Sequence, residues 1–410
     1  GLEPVSYPSA EMEFALARTL GVPIFQEQVM QVAMLAAGFT AGEADQLRRA
    51  MAAWKRKGGL DKFEVKLMTG MLERGYTAEF AESIVSQVKG FSEYGFPESH
   101  AASFALLAYA SSWLKCHEPA AFLTALLNSQ PMGFYSPSQL VQDGRRHGLE
   151  VRPVDVCIST WEAALEAPSD TASTNQHAVR LGFNIVSGMS REAAWRIEEA
   201  RAIRQFADVP DLADRSQLTR SDLQTLASAN ALASLAGHRR QALWQAVTSA
   251  PDKGLLRHAA ICEEDVTLAA PSEGETIVGD YRATGLTLGR HPLALLRKTL
   301  LARKFVPADI LATFADGQIA RAAGIVTVRQ RPETANGVMF LTLEDETGQV
   351  NVIIWPQLIE KQRKELLGST LLGVYGIWQC QHNVRHLVAK RLVDLSALLG
   401  DLQIGSRDFA

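Results

Sequence analysis

Cysteine is scarce and scattered: Cys116, Cys157, Cys262 and Cys380 lie far apart, with no C-x-x-C pair among them. That spacing argues against a zinc cluster and against a secreted disulfide framework, so a reducing cytoplasm is the expected compartment. Long apolar runs are lacking as well. No stretch approaches the roughly 20 residues a bilayer-crossing helix needs, and Gly1-Leu2-Glu3-Pro4 has no basic segment followed by an apolar one. Neither membrane insertion nor export is expected. A start at Gly rather than Met suggests a piece of a longer chain or a processed product. The third absence is an excess of positive charge. A formal net charge of −4 and a pI near 6.2 exclude a uniformly basic nucleic-acid binder, so any DNA contact has to come from local basic surfaces.

What is present suffices for more than one hydrophobic core. The chain has 410 residues, 47% of them hydrophobic and 21% charged, which sets an expectation of roughly two to four domains. From Ala10 to about His147 apolar residues recur at three- and four-residue spacing, the period of a helix, with no strand signal. Thr40-Ala41-Gly42-Glu43 fits a capping box and predicts a helix from there to about Arg56. A short extended segment is expected near Val151 to Val156, and the polar stretch from Ala167 to Gln176 reads as a surface loop. Short helices joined by tight turns follow from Val179 to Val247, then a weakly patterned connector from Pro251 to Gly279.

Beyond Gln318 the period changes to alternation. Strands are predicted over Ala320–Val328, Val338–Leu343, Val350–Trp355, Leu371–Cys380 and His386–Leu392, with one helix over Gln357–Leu367 between the third and fourth. That order is the one expected of an OB-fold barrel. Asp345-Glu-Thr-Gly348 supplies a Gly for the hairpin between the second and third strands.

Three groups of residues suggest chemistry. Arg48 and Lys55 share a helix face, Arg49 and Arg56 repeat the relation one position on, and Lys57 follows. Two cationic rows suit a polyphosphate or a strand backbone, because guanidinium grips phosphate oxygens in pairs; a solvated helix face is the alternative. Phe91 to Ala105 forms an aromatic turn leading into a helix with Ser99 as the expected N-cap. There His100 either helps to hold a phosphate or serves structure.

The second group is a turn in Arg180-Leu-Gly-Phe-Asn-Ile-Val-Ser-Gly188-Met-Ser190, of the kind that offers backbone amides to a DNA phosphate in a helix-hairpin-helix. A second turn carries Asn230 where Gly is usual, and Gly237-His-Arg239-Arg240 forms a short basic patch; plain helical connectors look the same. The third is the barrel, with Arg321, Arg329, Arg331, Trp355, Trp378, Arg385, Lys390 and Arg391. Aromatics beside arginines suit single-stranded DNA, although both Trp could instead fill the core.

Gly21-Val-Pro-Ile-Phe-Gln-Glu-Gln-Val-Met30, Leu47-Arg-Arg-Ala-Met51, Tyr94-Gly-Phe-Pro-Glu-Ser-His-Ala-Ala102 and Trp113-Leu-Lys115 resemble, in order and spacing, the fingers of the bacterial DNA polymerase III alpha family. Asn128 to Tyr135, Leu140-Val-Gln-Asp143, Arg145-Arg-His147 and Val151-Arg-Pro-Val-Asp155 are similar to its error-prone branch. Pro97-Glu98 and Ala53-Trp-Lys-Arg-Lys57 also depart from the replicative branch. Through Asp280 to Gly285, His291-Pro292, the barrel and Ser406-Arg-Asp-Phe409, the resemblance spans essentially the whole chain.

The resemblance implies a carboxy-terminal portion of a DNA-directed DNA polymerase used in damage-induced translesion synthesis. Its fold would be all-α fingers over 1–155, a helix-hairpin-helix region over 156–250, a connector over 251–315, a five-stranded OB-fold over 316–396 and a tail over 397–410. Arg48 and Arg49 would contact the incoming nucleotide's phosphates, with Gln26, Glu27, Gln28 and His100 shaping the adjoining wall. Lys55, Arg56, Lys57, Gly188, Arg239, Arg240, Arg329, Arg331, Trp378 and Arg385 would meet primer-template DNA. No metal ligand is expected in this chain: the palm aspartates and the Mg2+ they hold would lie upstream, so the chain alone would be inactive. The implied partners are deoxynucleoside triphosphates, DNA, an inactive Y-family-like polymerase, a RecA-like accessory protein and, indirectly, a sliding clamp. The rival expectation is a non-catalytic DNA-binding or assembly module derived from such a polymerase. A synthetase-like OB protein acting on RNA is disfavoured because no nucleotide-activating motif accompanies the barrel.

Overall fold

Period-3.6 patterning dominates the first third of the chain, and in the computed structural model that third is helical. The structure describes residues 5, 7, 9–57, 61–91, 97–132, 135–169, 176–248, 266–332, 335–381, 384–402 and 407–409, with the backbone alone at 52–57, 90–91 and 407–409. It divides into two compact units, Gly1–Trp113 and Leu114–Ala410.

The first unit contains α1 (Ala10–Leu16), α2 (Gln26–Ala37), α3 (Ala41–Lys57), α4 (Asp61–Glu73), α5 (Ala78–Phe91) and most of α6 (Glu98–His117). Val29, Val32, Ala33 and Ala36 recur at helical spacing along α2. They pack with Leu47 and Met51 of α3, Leu67 and Met71 of α4, and Ile84 and Val88 of α5 in one core. Gly70 permits a close approach of α4 to the end of α2, since a Cβ there would lie 2.2 Å from the Ala37 carbonyl oxygen. The capping box forms: Thr40 N–H and Oγ1 donate to Glu43 Oε2 at 2.9 and 3.0 Å, and Glu43 N–H donates to Thr40 Oγ1 at 3.3 Å.

In the second unit α7 (Pro119–Asn128) and α8 (Pro137–Arg146) precede a small sheet of β1 (Val151–Arg152), β2 (Ala164–Glu166) and β3 (Ala178–Arg180), with β3 in the middle. The polar loop separates β2 from β3, two strands that alternation over so few residues did not reveal. Then come α9 (Arg191–Ile203), α10 (Val209–Arg215), α11 (Arg220–Ser228), α12 (Ala233–Ala236) and α13 (Arg239–Thr248), sharing one core with α7 and the sheet through Phe183, Ile197, Leu212, Leu223 and Leu226.

The weakly patterned connector proves helical where it is described. α14 (Glu273–Thr284) starts at a Ser272–Glu275 capping box, and α15 (Pro292–Ala302) and α16 (Ala308–Leu311) follow. Ile277, Tyr281, Leu293, Leu300 and Phe305 pack against Ala323, Ile325 and Leu371 of the barrel.

That barrel is made of β4 (Ile319–Gln330), β5 (Met339–Glu344), β6 (Gln349–Ile354), β7 (Leu371–Gln381) and β8 (Val384–Asp394). β4 pairs with β5 and β7, β5 with β6, β6 in parallel with β8, and β8 with β7, which closes the ring of an OB-fold. A short β9 (Arg407–Phe409) joins β4 in parallel. The single expected helix between β6 and β7 is two, α17 (Pro356–Lys361) and α18 (Arg363–Gly368), broken at Gln362, whose side-chain amide instead bonds the Leu392 backbone at 2.9 and 2.8 Å. Asp345 rather than Gly348 fixes the β5–β6 turn. Its Oδ1 accepts from Thr347 N–H at 2.8 Å and Gly348 N–H at 3.0 Å.

Beside that turn Glu344 is buried, 3.6 Å from His291 Nε2. Burial pushes its carboxyl up, but the neighbouring His291, the hydrogen bond from Gln349 and the charge of Arg146 outweigh burial and hold it below its ordinary value. A depressed carboxyl stabilises the fold above its unfolded-state pKa, and that stabilisation is lost as pH falls through the folded value. Barrel stability is therefore expected to decline below about pH 4.3, and Glu344→Gln to flatten that acid limb in a pH series of urea unfolding.

Candidate nucleic-acid interface

Leu47 and Met51 are drawn into the first core, and this turns the neighbouring Arg48 and Arg49 to the surface of α3. Both find the same carboxylate. Arg48 donates from Nε and Nη2 to Asp45 Oδ1 at 3.1 and 2.9 Å, while Arg49 Nη2 lies 2.7 Å from Oδ2. The Arg48 hydrogen bond, joined by both guanidinium charges, holds Asp45 below the ordinary carboxylate range. The Arg49 side chain nevertheless keeps 74% of its exposure. Lys55, Arg56 and Lys57 continue the same helix, with side chains outside the described residues.

Gln28 corrects the expectation of a nucleotide-facing residue. It is buried; its Nε2 donates to Ala15 O at 3.2 Å and Thr19 Oγ1 at 2.8 Å, and its Oε1 accepts from the amides of Ile24 and Phe25 that open α2. Gln26, two residues earlier, is half-buried at the first position of the same helix.

Ser99 is not the cap of α6. The Ala101 amide donates to Pro97 O at 3.0 Å, so the helix begins one residue before Ser99. A carboxylate already occupies this helix start: Glu27 Oε2 accepts from Glu98 N–H at 2.9 Å, and Glu98 in turn pairs with Arg18. His100 is exposed in the first turn with its ring 4.4 Å from that of Phe104. The aromatic turn at 92–96 lies outside the described residues.

In the second unit the turn before α9 holds Gly188 at φ +83°, a conformation that favours glycine. Ser190 then caps α9, its Oγ accepting from Ala193 N–H at 3.1 Å. Asn230 also adopts positive φ, at +58°, as the substitution of Asn for Gly implied.

Arg239 needs a second correction. It is 8% exposed, donates to Ser228 O at 2.8 Å and Thr276 O at 2.9 Å, and pairs with Asp280. Those bonds tie α11 to α14 and leave little for a phosphate. Arg240 is closer to solvent, bonded to Ala269 O and Glu275 Oε1, each at 3.0 Å.

The barrel divides the remaining candidates. Arg329 is buried, with Nε on Leu366 O at 2.9 Å and Nη2 on Ser369 O at 2.6 Å, and Trp378 is a core residue at 4% exposure. Both belong to the fold rather than to its surface. Arg331 and Arg385 are exposed. Trp355, half-exposed before α17, and Phe340 on β5 add aromatic surface. Across β4, β7 and β8, Arg321 and Arg391 flank the Tyr375 ring at 4.8 and 5.5 Å. A guanidinium–phenol–guanidinium ladder of this kind supplies both charge and a stacking face.

Among the described residues no group of three or more His, Cys, Asp and Glu could hold a metal ion, and no helix is long and apolar enough to cross a membrane. Known families match three separate stretches. The bacterial DNA polymerase III alpha subunit finger domain matches residues 1–75, a helix-hairpin-helix motif 148–242, and an OB-fold nucleic acid binding domain 320–395. An error-prone DNA polymerase of Bordetella parapertussis is 62% identical over 403 residues, which cover 98% of this chain and 38% of that protein. One from Burkholderia pseudomallei is 60% identical over 407 residues, 99% of this chain and 38% of its own. Nearly the whole chain is homologous to one portion of error-prone DNA polymerases.

It spans 38% of the length of these two relatives. Among solved structures, asparaginyl-tRNA synthetase from Pyrococcus horikoshii complexed with asparaginyl-adenylate aligns with 22% of each chain at 23% identity and a TM-score of 0.20. Gln26, Gln28, Arg48 and Arg49 fall within the stretch that matches the family's finger domain, whereas His100 lies beyond it. Asp45 went unnoticed in the sequence, although its place three and four residues before the two arginines is the spacing at which helical ion pairs form. The contact of Glu27 with α6 bridges 71 residues of sequence and has no local signal.

Proposed function

We infer that this chain is a part of a DNA-directed DNA polymerase. In this reading α2, α3 and the start of α6 form a wall against the incoming nucleoside triphosphate, and hairpin and barrel residues hold primer-template DNA. The observation that carries the reading is 62% identity over 98% of the chain with an error-prone DNA polymerase. Arg48 and Arg49 would exchange Asp45 for phosphate oxygens, a modest rearrangement because exposed ion pairs are weak. Gly188, Arg331 and Arg385 would meet the DNA backbone without reading its sequence. Bound Mg2+ would neutralise the developing phosphate charge, and its carboxylate ligands would come from residues outside this chain. Damage-induced translesion synthesis, the inactive Y-family-like polymerase and the RecA-like accessory protein extend this proposal from the family resemblance.

A second reading, a non-catalytic DNA-binding module, is favoured by one observation: Arg48 and Arg49 are both satisfied within their own helix. Primer extension separates the two. Produced together with the sequence that its relatives carry beyond this match, the protein is expected to extend a primed template in Mg2+ and deoxynucleotides. The 410-residue chain alone is expected to bind the same DNA without extending it. A longer protein that binds but never extends would leave only the module.

A further inference from the structure

Two tryptophans near the hairpin are left without an assigned role. Trp195, one turn into α9, is 49% exposed, an unusual amount for a ring that normally seeks burial. Arg191, four residues earlier on the same helix, places its guanidinium carbon 5.1 Å from the Trp195 ring centre and 5.9 Å from that of Trp161, which lies in the segment before β2. Arg191 is exposed and makes no ion pair with any described residue. The backbone of Trp161 is fixed at both ends, its N–H donating to Glu198 Oε1 at 2.8 Å and its carbonyl accepting from Asn184 N–H at 2.9 Å.

Trp161 also borders a cavity of about 360 Å³, whose lining includes Asn128, Gln130, Glu162, Asn184 and Thr284. Some of these groups are already engaged. Asn128 bonds both backbone groups of Ala163, at 2.9 and 2.8 Å, Gln130 bonds Leu126 O at 3.3 Å, and the Thr284 hydroxyl bonds Asp280 O at 2.9 Å. The Glu162 carboxylate and the Asn184 carboxamide make no hydrogen bond among the described residues. The backbone floor is close-packed: a Cβ on Gly182 would come within 2.5 Å of the Trp161 carbonyl oxygen.

A flat ligand with a polar edge matches this arrangement. The indole and guanidinium faces offer stacking and positive charge, and the adjoining slot offers a free carboxylate to accept from an amino group and a carboxamide to pair with a base edge. Duplex DNA hides the faces of its bases in the stack and their pairing edges in Watson–Crick hydrogen bonds, so a base cannot stack on the indole and enter the slot without being unpaired. We propose that Trp161, Arg191 and Trp195, with Glu162 and Asn184, form a site for an unpaired base of single-stranded DNA beside the Gly188 hairpin. The proposal rests on the reading of this chain as DNA-binding.

The test compares the 410-residue chain with its Trp195→Ala, Arg191→Ala and Trp195→Phe variants. Binding is measured by anisotropy on a single strand of about 12 nucleotides, a length within the range such folds engage, and on a blunt duplex of the same sequence. Trp195→Ala and Arg191→Ala are each expected to weaken single-strand binding about tenfold, with duplex binding changed less than about twofold and Trp195→Phe retaining most of the affinity. Equal losses on both ligands, no loss on the single strand, or a Phe variant as weak as the Ala variant would each overturn the stacking site while leaving DNA binding intact. A chain that binds neither ligand would overturn both.

Discussion

Arg329→Met is expected to destabilise the barrel by about 2–4 kcal/mol while leaving its affinity for DNA unchanged at temperatures where it remains folded. The guanidinium donates to the carbonyls of Leu366 and Ser369, at the end of α18 and just after it, and so ties that helix to β4. Methionine fills much of the volume but offers no donor. Two buried carbonyls would then be stripped of water without a partner, a cost of about 1–3 kcal/mol each before any local relaxation. Hydrogen exchange is the suitable measurement because it localises the effect. Protection of amides in β4 and β7 should fall while that of α2 and α4 in the first unit stays constant. Arg385→Met provides the contrast: its side chain is exposed, so DNA affinity should drop with little change in exchange. If Arg329→Met leaves exchange untouched and weakens DNA binding, Arg329 is a surface contact after all and its burial is wrong.

The contrast between those arginines shows where sequence reasoning reaches its limit. Alternation located the barrel strands most clearly where one face is buried: Met339, Leu341 and Leu343 of β5 and Val350, Val352 and Ile354 of β6 turn inward in strict period. The same alternation cannot say whether a charged residue lies on the inner or outer face once a strand bends, and β4 shifts register between Val326 and Val328. Arg329, immediately past that shift, is buried, whereas Arg331 is exposed. Arg239 was misjudged for a related reason. Its partners Thr276 and Asp280 lie 37 and 41 residues ahead, on a helix the pattern did not distinguish from a connector. Local devices were legible because their partners are three or four residues away, as in the Thr40–Glu43 box and the left-handed turn at Asn230. The same locality made Asp45 findable, and including it changes the picture of the two arginines from free cations to a shared pair.

Arg49→Ala in the complete polymerase is expected to reduce kcat/KM for nucleotide incorporation at least tenfold, which corresponds to about 1.4 kcal/mol of transition-state stabilisation. Arg49 is bound to Asp45 through one nitrogen, on a side chain 74% exposed, whereas Arg48 donates two and is 39% exposed. Arg49 is therefore the arm that leaves the carboxylate more easily. A triphosphate offers more charge and more acceptor oxygens than one aspartate, and paired guanidinium–phosphate bonds are roughly twice as strong as neutral ones. Arg49→Lys keeps the charge but loses the fork, so it should recover part of the loss, chiefly in KM. Asp45→Asn distinguishes a resting partner from an obstacle. Because the two oxygens of Asp45 are divided between the two arginines, the carboxylate aligns them, and its loss should raise KM less than Arg49→Ala does. A fall in KM on Asp45→Asn would mean that the carboxylate competes with the nucleotide. Wild-type kinetics for Arg49→Ala would mean that these arginines form a solvated helix face, and the nucleotide-binding role would have to pass to other residues.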